Sequence, residues 1–386
     1  MFLKKLLWSG LGVAAVGVAA MAMWLSSLPE ASTEVHLPYI PAPETRAAVE
    51  ALKPSKRRRP VVAVVGINDA TELTDYLVPV GILRRADVAD VAVLSTEQGP
   101  VKLFPALTVI PDATIDQFDA RYPAGADYVI VPAMSRDDDP RVLQWLRRQA
   151  RQGASVIGIC AGAKVVASAG LLDGKRATTH WYYVDALRDA HPAVNYVADR
   201  RLVMDRGVAT TTGITASMPM MLTLIEAIAG KDKARDVAQD MGVMRWDARH
   251  DSGAFQFTRA FALTAIRNRM AFWRRESLGI ALHTGMDEVS LALVADAWSR
   301  TYLSSAATFA PSAQPVATRH GLPIVPDHVS AQWPADRRIP LMGERRPAQA
   351  LDQALAGISR RYGANTADFV AMQLEYPDQR LTRGRE

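Results

Sequence analysis

From residue 61 the chain alternates short β-branched runs with stretches of helical period. VVAVVG (61–66) is followed by ATELTDYLVPVGILRRA (70–86), which lines Leu73, Leu77, Val80 and Leu83 along one face. VAVLS (91–95), ADYVIVPA (126–133), PRVLQWLRRQARQG (140–153) and ASVIGI (154–159) continue the alternation. Strands separated by helices predict a parallel sheet covered on both faces, an α/β three-layer sandwich. Right-handed crossovers then gather the carboxyl ends of the strands on one edge, where a site is expected.

The only cysteine, Cys160, falls at such an end. One cysteine excludes an internal disulfide and a cysteine-rich metal set. Gly158-Ile159-Cys160-Ala161-Gly162 is the thiol form of a nucleophile elbow. A turn this sharp presses its flanking residues against neighbouring backbone, so glycine is needed on both sides. The start of the following helix should lower the thiol pKa, and the Ala161 N–H should hold an oxyanion. His180, in KRATTHW, ends the next short strand, twenty residues beyond Cys160. Its imidazole could take the thiol proton or pair with the thiolate. Asp75, on the first helix, could share a proton with the thiol or orient a water.

GICAGA followed by AGLLDGKRATTHW resembles the ThiJ/PfpI superfamily, whose fold is the flavodoxin-like sandwich of class I glutamine amidotransferases. The resemblance runs from about residue 61 to 230 and includes ELTDYLVPVGILRRADV and TTTGITASMPMMLTLIEAIAG. The Thr-Thr-His-Trp variant looks most like the amidase-type domain of AraC-like regulators and like isocyanide hydratases. The resemblance implies that Cys160 is the reactive residue, that His180 is its neighbour and that Asp75 is the acid near the sulfur. It also points to Gly162, Ala133, Met134, Trp181 and Gly213 as pocket residues. Where the family has two glycines after its YVIVP-like strand, this chain has Ala133-Met134. A side chain there puts amide-type turnover in question.

At the N-terminus, Lys4 and Lys5 precede an uncharged run over residues 6–28. That is long enough for a single membrane-spanning helix. The expectation is an inner-membrane anchor (1–29) and a tether (30–59), with the body facing the periplasm. A signal cleaved near Ala20-Met21-Ala22 is the alternative. The formal net charge is +5, and the basic runs KPSKRRRP (53–60) and the tail carry few aromatics. This argues for a solvated linker and tail over nucleic-acid binding.

A second copy of the opening motif is expected downstream. EVSLALVADAW (288–298) parallels ELTDYLVPVGIL (72–83), and QPVATRHGLPIVPD (314–327) parallels GPVKLFPALTVIPD (99–112). The offsets are 216 and 215, and Leu291 stands in the place of Asp75. Helix 347–363 is expected where 140–153 stands in the first copy. The expected units are therefore 60–232, a helical connector 233–277, a degenerate half-repeat 278–375 and a tail 376–386. The half-repeat would occupy a surface that a homodimer would otherwise use, making an intrachain pseudo-dimer. His250 has no neighbours in sequence that complete a metal set, and no cofactor motif appears. The function expected is cysteine-dependent hydrolase or hydratase chemistry on a small electrophile. The alternatives are a ligand or redox sensor, or a regulator-like protein.

Overall fold

A computed structural model describes residues 16–31, 36–340 and 345–376. Seven strands form the main sheet: β1 (Val61–Gly66), β2 (Asp90–Ser95), β3 (Ala113–Thr114), β4 (Tyr128–Val131), β5 (Ser155–Gly158), β6 (Leu202–Asp205) and β7 (Val208–Thr211). Their spatial order is β6-β7-β5-β4-β1-β2-β3. All neighbours are parallel except β6 and β7. The flavodoxin-like α/β expectation holds for this region.

β1 shows why both faces are covered. Val62 and Val64 join one apolar cluster, Val61, Ala63 and Val65 the other, and all five are 2% exposed or less. Successive strand side chains point to opposite faces, so a run of β-branched residues demands apolar cover on each side. Helix α1 (Leu73–Ala86) packs on the first face, together with α4 (Ser217–Ala229) and α5 (Lys231–Met241). α2 (Pro140–Arg151) and α3 (Gly162–Ser168) cover the second, where Trp145 and Leu146 are fully buried.

The membrane anchor is corrected. Among the described residues no helix is long and apolar enough to cross a membrane. Residues 16–27 are helical, a length of about 18 Å against about 30 Å of hydrocarbon. Residues 6–15 of the expected span lie outside the described residues. The end of this helix docks on α6 (Arg259–Met270): Arg259 Nε donates to the Leu25 carbonyl at 3.0 Å. The single-pass inner-membrane location and the membrane partner are withdrawn with it. The basic run is no free linker either. Arg57 pairs with buried Asp127 at 2.5 Å, and Arg59 bonds Asp87 and Asp90, both at 2.7 Å.

Beyond α6, β8 (Glu276–Ala281), β9 (Ser304–Ala310) and β10 (His328–Val329) form a parallel sheet in the order β8-β9-β10. Helix α7 (Glu288–Ser299) packs against α1. α8 (Pro347–Tyr362) does not take the place of α2. It packs on α7, as α4 packs on α1, and passes through Gly363 (φ 94°, ψ 158°) into α9 (Ala364–Gln373). The turn from α4 to α5 at Gly230 has nearly the same angles, φ 89° and ψ 165°. A further sheet joins the two regions, with Thr108–Val109 antiparallel to Pro323–Val325.

Candidate functional site

β5 delivers Cys160 to the sheet edge with a left-handed backbone, φ +56°. A Cβ on Gly162 would overlap the Val131 carbonyl, and one on Gly158 would come within 3.0 Å of Ala163. Both glycines are therefore sterically required. The elbow is held from β7, where Thr211 Oγ1 accepts from the Cys160 N–H at 3.1 Å. It is held again by Thr179 Oγ1, which donates to the Cys160 carbonyl at 3.0 Å.

The thiol is not acidic. Cys160 is 3% exposed, and burial pushes its pKa well up, with the charges of Asp75 and Glu72 adding to the effect. The Ala161 N–H acts the other way but is outweighed. The expected acidification by the helix start fails because α3 is only seven residues long and the sulfur sits among carboxyl groups.

Asp75 is fully buried on the first turn of α1. Its Oδ2 accepts from the Ala133 N–H at 3.1 Å, and its Oδ1 has no hydrogen-bond partner among the described residues. Burial first, and then the neighbouring Glu72, hold its pKa well above the carboxylate range. Glu72 caps α1 by accepting from the Asp75 N–H at 2.6 Å. Arg300, at the C-terminal cap of α7, bonds Glu72 at 2.6 Å and Asp296 at 2.7 Å. Three buried carboxyls thus share one guanidinium. Both contacts of that guanidinium go to Glu72 and Asp296, so Asp75 is left without a direct ion-pair contact to it.

His180 is 6% exposed and has no free nitrogen. Nδ1 accepts from the Tyr182 N–H at 3.2 Å, so the ring proton sits on Nε2, which donates to the Gln373 carbonyl at 3.0 Å. Burial holds its pKa below the usual value. Trp181 Nε1 donates to the Met372 carbonyl at 2.8 Å. Gly213 N–H donates to Glu375, and a Cβ at Gly213 would collide with that side chain.

Cys160, Asp75 and Ala133 are thus brought to one place, but the expected oxyanion loop is occupied. The Ala133 N–H is bound to Asp75, the Ser135 N–H to the Ala70 carbonyl, and Met134 bridges Thr71. Sequence reasoning missed Glu72, Thr179, Thr211, Arg300, Gln373 and Glu375. Thr179 and Glu72 lay inside motifs already singled out. The last three come from the distant C-terminal region and carry no local signal. Among the described residues no three His, Cys, Asp or Glu side chains converge as a metal set.

Residues 61–227, a little under half of the chain, match the model of the DJ-1/PfpI family. The chain is 31% identical over 210 residues to the HTH-type transcriptional regulator CdhR of Pseudomonas aeruginosa, covering 53% of this chain and 59% of the relative. Isonitrile hydratase of Pseudomonas putida is 40% identical over 99 residues, 25% of this chain and 42% of the relative. The HTH-type transcriptional regulator GlxA of Rhizobium meliloti is 43% identical over 93 residues, 24% of this chain and 28% of the relative. The chain therefore spans 59% or less of the length of each of these three. A ThiJ/PfpI family protein from Pseudomonas syringae superposes with a TM-score of 0.46 and 21% identity, over 55% of this chain and 86% of that one.

Proposed function

We propose that the chain is a ligand-sensing protein built on a DJ-1/PfpI domain, with Cys160 as a protonated pocket residue instead of an activated nucleophile. One observation carries this: both nitrogens of His180 are committed, to Tyr182 and to Gln373, so the imidazole has no nitrogen left to take the thiol proton. Likeness to two HTH-type transcriptional regulators supports a sensing role. The test is a binding screen by thermal shift on wild type and Cys160→Ala. A sensor keeps its ligand-induced stabilisation in the variant, whereas an enzyme turns substrate over and loses that turnover with the thiol.

A second reading has its own support. The left-handed backbone at Cys160 stores strain of the kind found at reactive residues, and Asp75 holds a proton that a hydratase could deliver. Cys160 would attack a small electrophilic carbon. Steady turnover of isonitriles or activated amides, abolished in Cys160→Ala and in Asp75→Asn, would establish it.

The two regions also fit an internal duplication acting as a pseudo-dimer. Val109 pairs with Ile324 across the joining sheet, and these are equivalent positions at the offset of 215. An antiparallel pair of equivalent residues lies on a local two-fold axis. Light scattering is expected to return the mass of one chain, 42.0 kDa. A stable homodimer would count against the idea.

A further inference from the structure

Helix α9 ends in a Schellman turn, with the Glu375 N–H on the Met372 carbonyl at 3.1 Å and the Tyr376 N–H on the Ala371 carbonyl at 2.9 Å. Glu375 occupies its left-handed position, φ +51°, where glycine or asparagine is favoured. The reason lies in the side chain, which is 4% exposed. One carboxylate oxygen accepts from the Gly213 N–H. The other lies 2.9 Å from His250 Nε2 as an ion-pair contact but accepts no hydrogen bond among the described residues. The half-buried Arg201 adds positive charge nearby. Thr215 fixes the same turn, its N–H on the Leu374 carbonyl at 3.2 Å and its hydroxyl on the Glu375 carbonyl at 2.9 Å. Glu375 and His250 also line an open cavity of about 410 Å³, whose other walls include Trp181, Tyr182, Tyr196 and Phe257.

We infer that Gly213, His250 and Arg201 form a carboxylate-binding site which Glu375 fills in this structure, and that a small carboxylate ligand with an apolar body takes its place from the adjoining cavity. The inference rests on the sensing reading and names the ligand class. Displacing Glu375 would loosen the turn that carries Gln373, and so release His180 Nε2 from its carbonyl. Ligand arrival would thereby reach the thiol site.

Thermal unfolding of the full chain tests the site, comparing wild type with Glu375→Ala in sodium acetate, in sodium chloride of equal ionic strength and in acetamide. The variant is expected to lose about 2–6 °C in Tm, as befits an emptied polar site. Acetate should regain at least half of that loss, chloride and acetamide none, and wild type, whose site Glu375 already fills, should shift by clearly less than the variant. Adding His250→Ala should abolish the rescue. An equal acetate shift in wild type and variant, or no rescue of a folded variant, overturns the inference. If Glu375→Ala does not fold, Glu375→Gln keeps an acceptor for Gly213 while losing the charge. Trp181 fluorescence should then show half-saturation at about tenfold lower acetate than in wild type, and unchanged affinity overturns the proposal. Failure here leaves the sensing role itself to the Cys160→Ala screen.

Discussion

Helices α1 and α7 begin alike and end up doing different work. Each opens beside a buried glutamate, Glu72 or Glu288, and the two helices pack against each other. Three residues on, α1 carries Asp75 and α7 carries Leu291. Asp75 is left with an oxygen unpartnered among the described residues and a pKa held well above the carboxylate range by burial, whereas Leu291 is plain core, 0% exposed. A buried polar atom without a partner costs free energy. The first region tolerates it where a thiol lies beside it. The second region has dropped the cost and serves as the wall that supplies Arg300.

The most damaging test of this division is Arg300→Ala. It leaves Glu72, Asp75 and Asp296 buried with no countercharge, and a loss of about 3–5 kcal/mol is expected in denaturant unfolding. A loss under about 1 kcal/mol would mean that the regions do not depend on this contact. Gly162→Ala comes next, at about 3 kcal/mol, because its Cβ meets the immovable Val131 carbonyl. A tightly packed glycine of the other region, Gly279→Ala, meets the Trp333 ring, which can turn aside, and about 1–2 kcal/mol is expected. Equal costs would remove the elbow's special status.

The buried acids at the heads and flanks of these helices should also answer pH in opposite directions. Burial raises Asp75 well above its ordinary value and pushes Asp296 up to about 7, despite Arg300. The stability from these protonated acids is fully present below their unfolded values near 4. It is lost as pH rises through the folded ones. Glu288 is the reverse. Burial pushes it up, but the hydrogen bond and charge of His320 outweigh that and hold it below its ordinary value. Its contribution is present above about 4.5 and lost as pH falls through the folded value. Asp75→Asn, which mimics the protonated acid, should flatten the neutral-to-alkaline fall by up to about 1.4 kcal/mol per pH unit. Glu288→Gln should flatten only the acid limb, with a cost near neutral pH of about 1 kcal/mol. A single slope unaffected by either variant would erase the contrast.

Much of the first region was legible because its signals are local. The unbroken apolar run at residues 61–66 requires two apolar covers, and Gly158 and Gly162 around Cys160 require a tight elbow. What the sequence concealed is set by long-range packing. Nothing near Cys160 says that its helix stops at Ser168 or that Arg300, 140 residues on, sits among its carboxyls. Nothing near His180 says that Gln373 takes its Nε2 proton. The apolar run after Lys5 has the composition of a membrane span. Its described part is a short helix whose end is tied to Arg259 instead.

The state of the sulfur is the most direct test. Iodoacetamide alkylation of Cys160 across pH, in the full chain, reads the thiolate fraction without assuming a substrate. An apparent pKa above the ordinary value of about 8.5, falling in Asp75→Asn, is the expected result. A value below about 7 in wild type, raised by His180→Ala, would contradict it and restore an activated nucleophile.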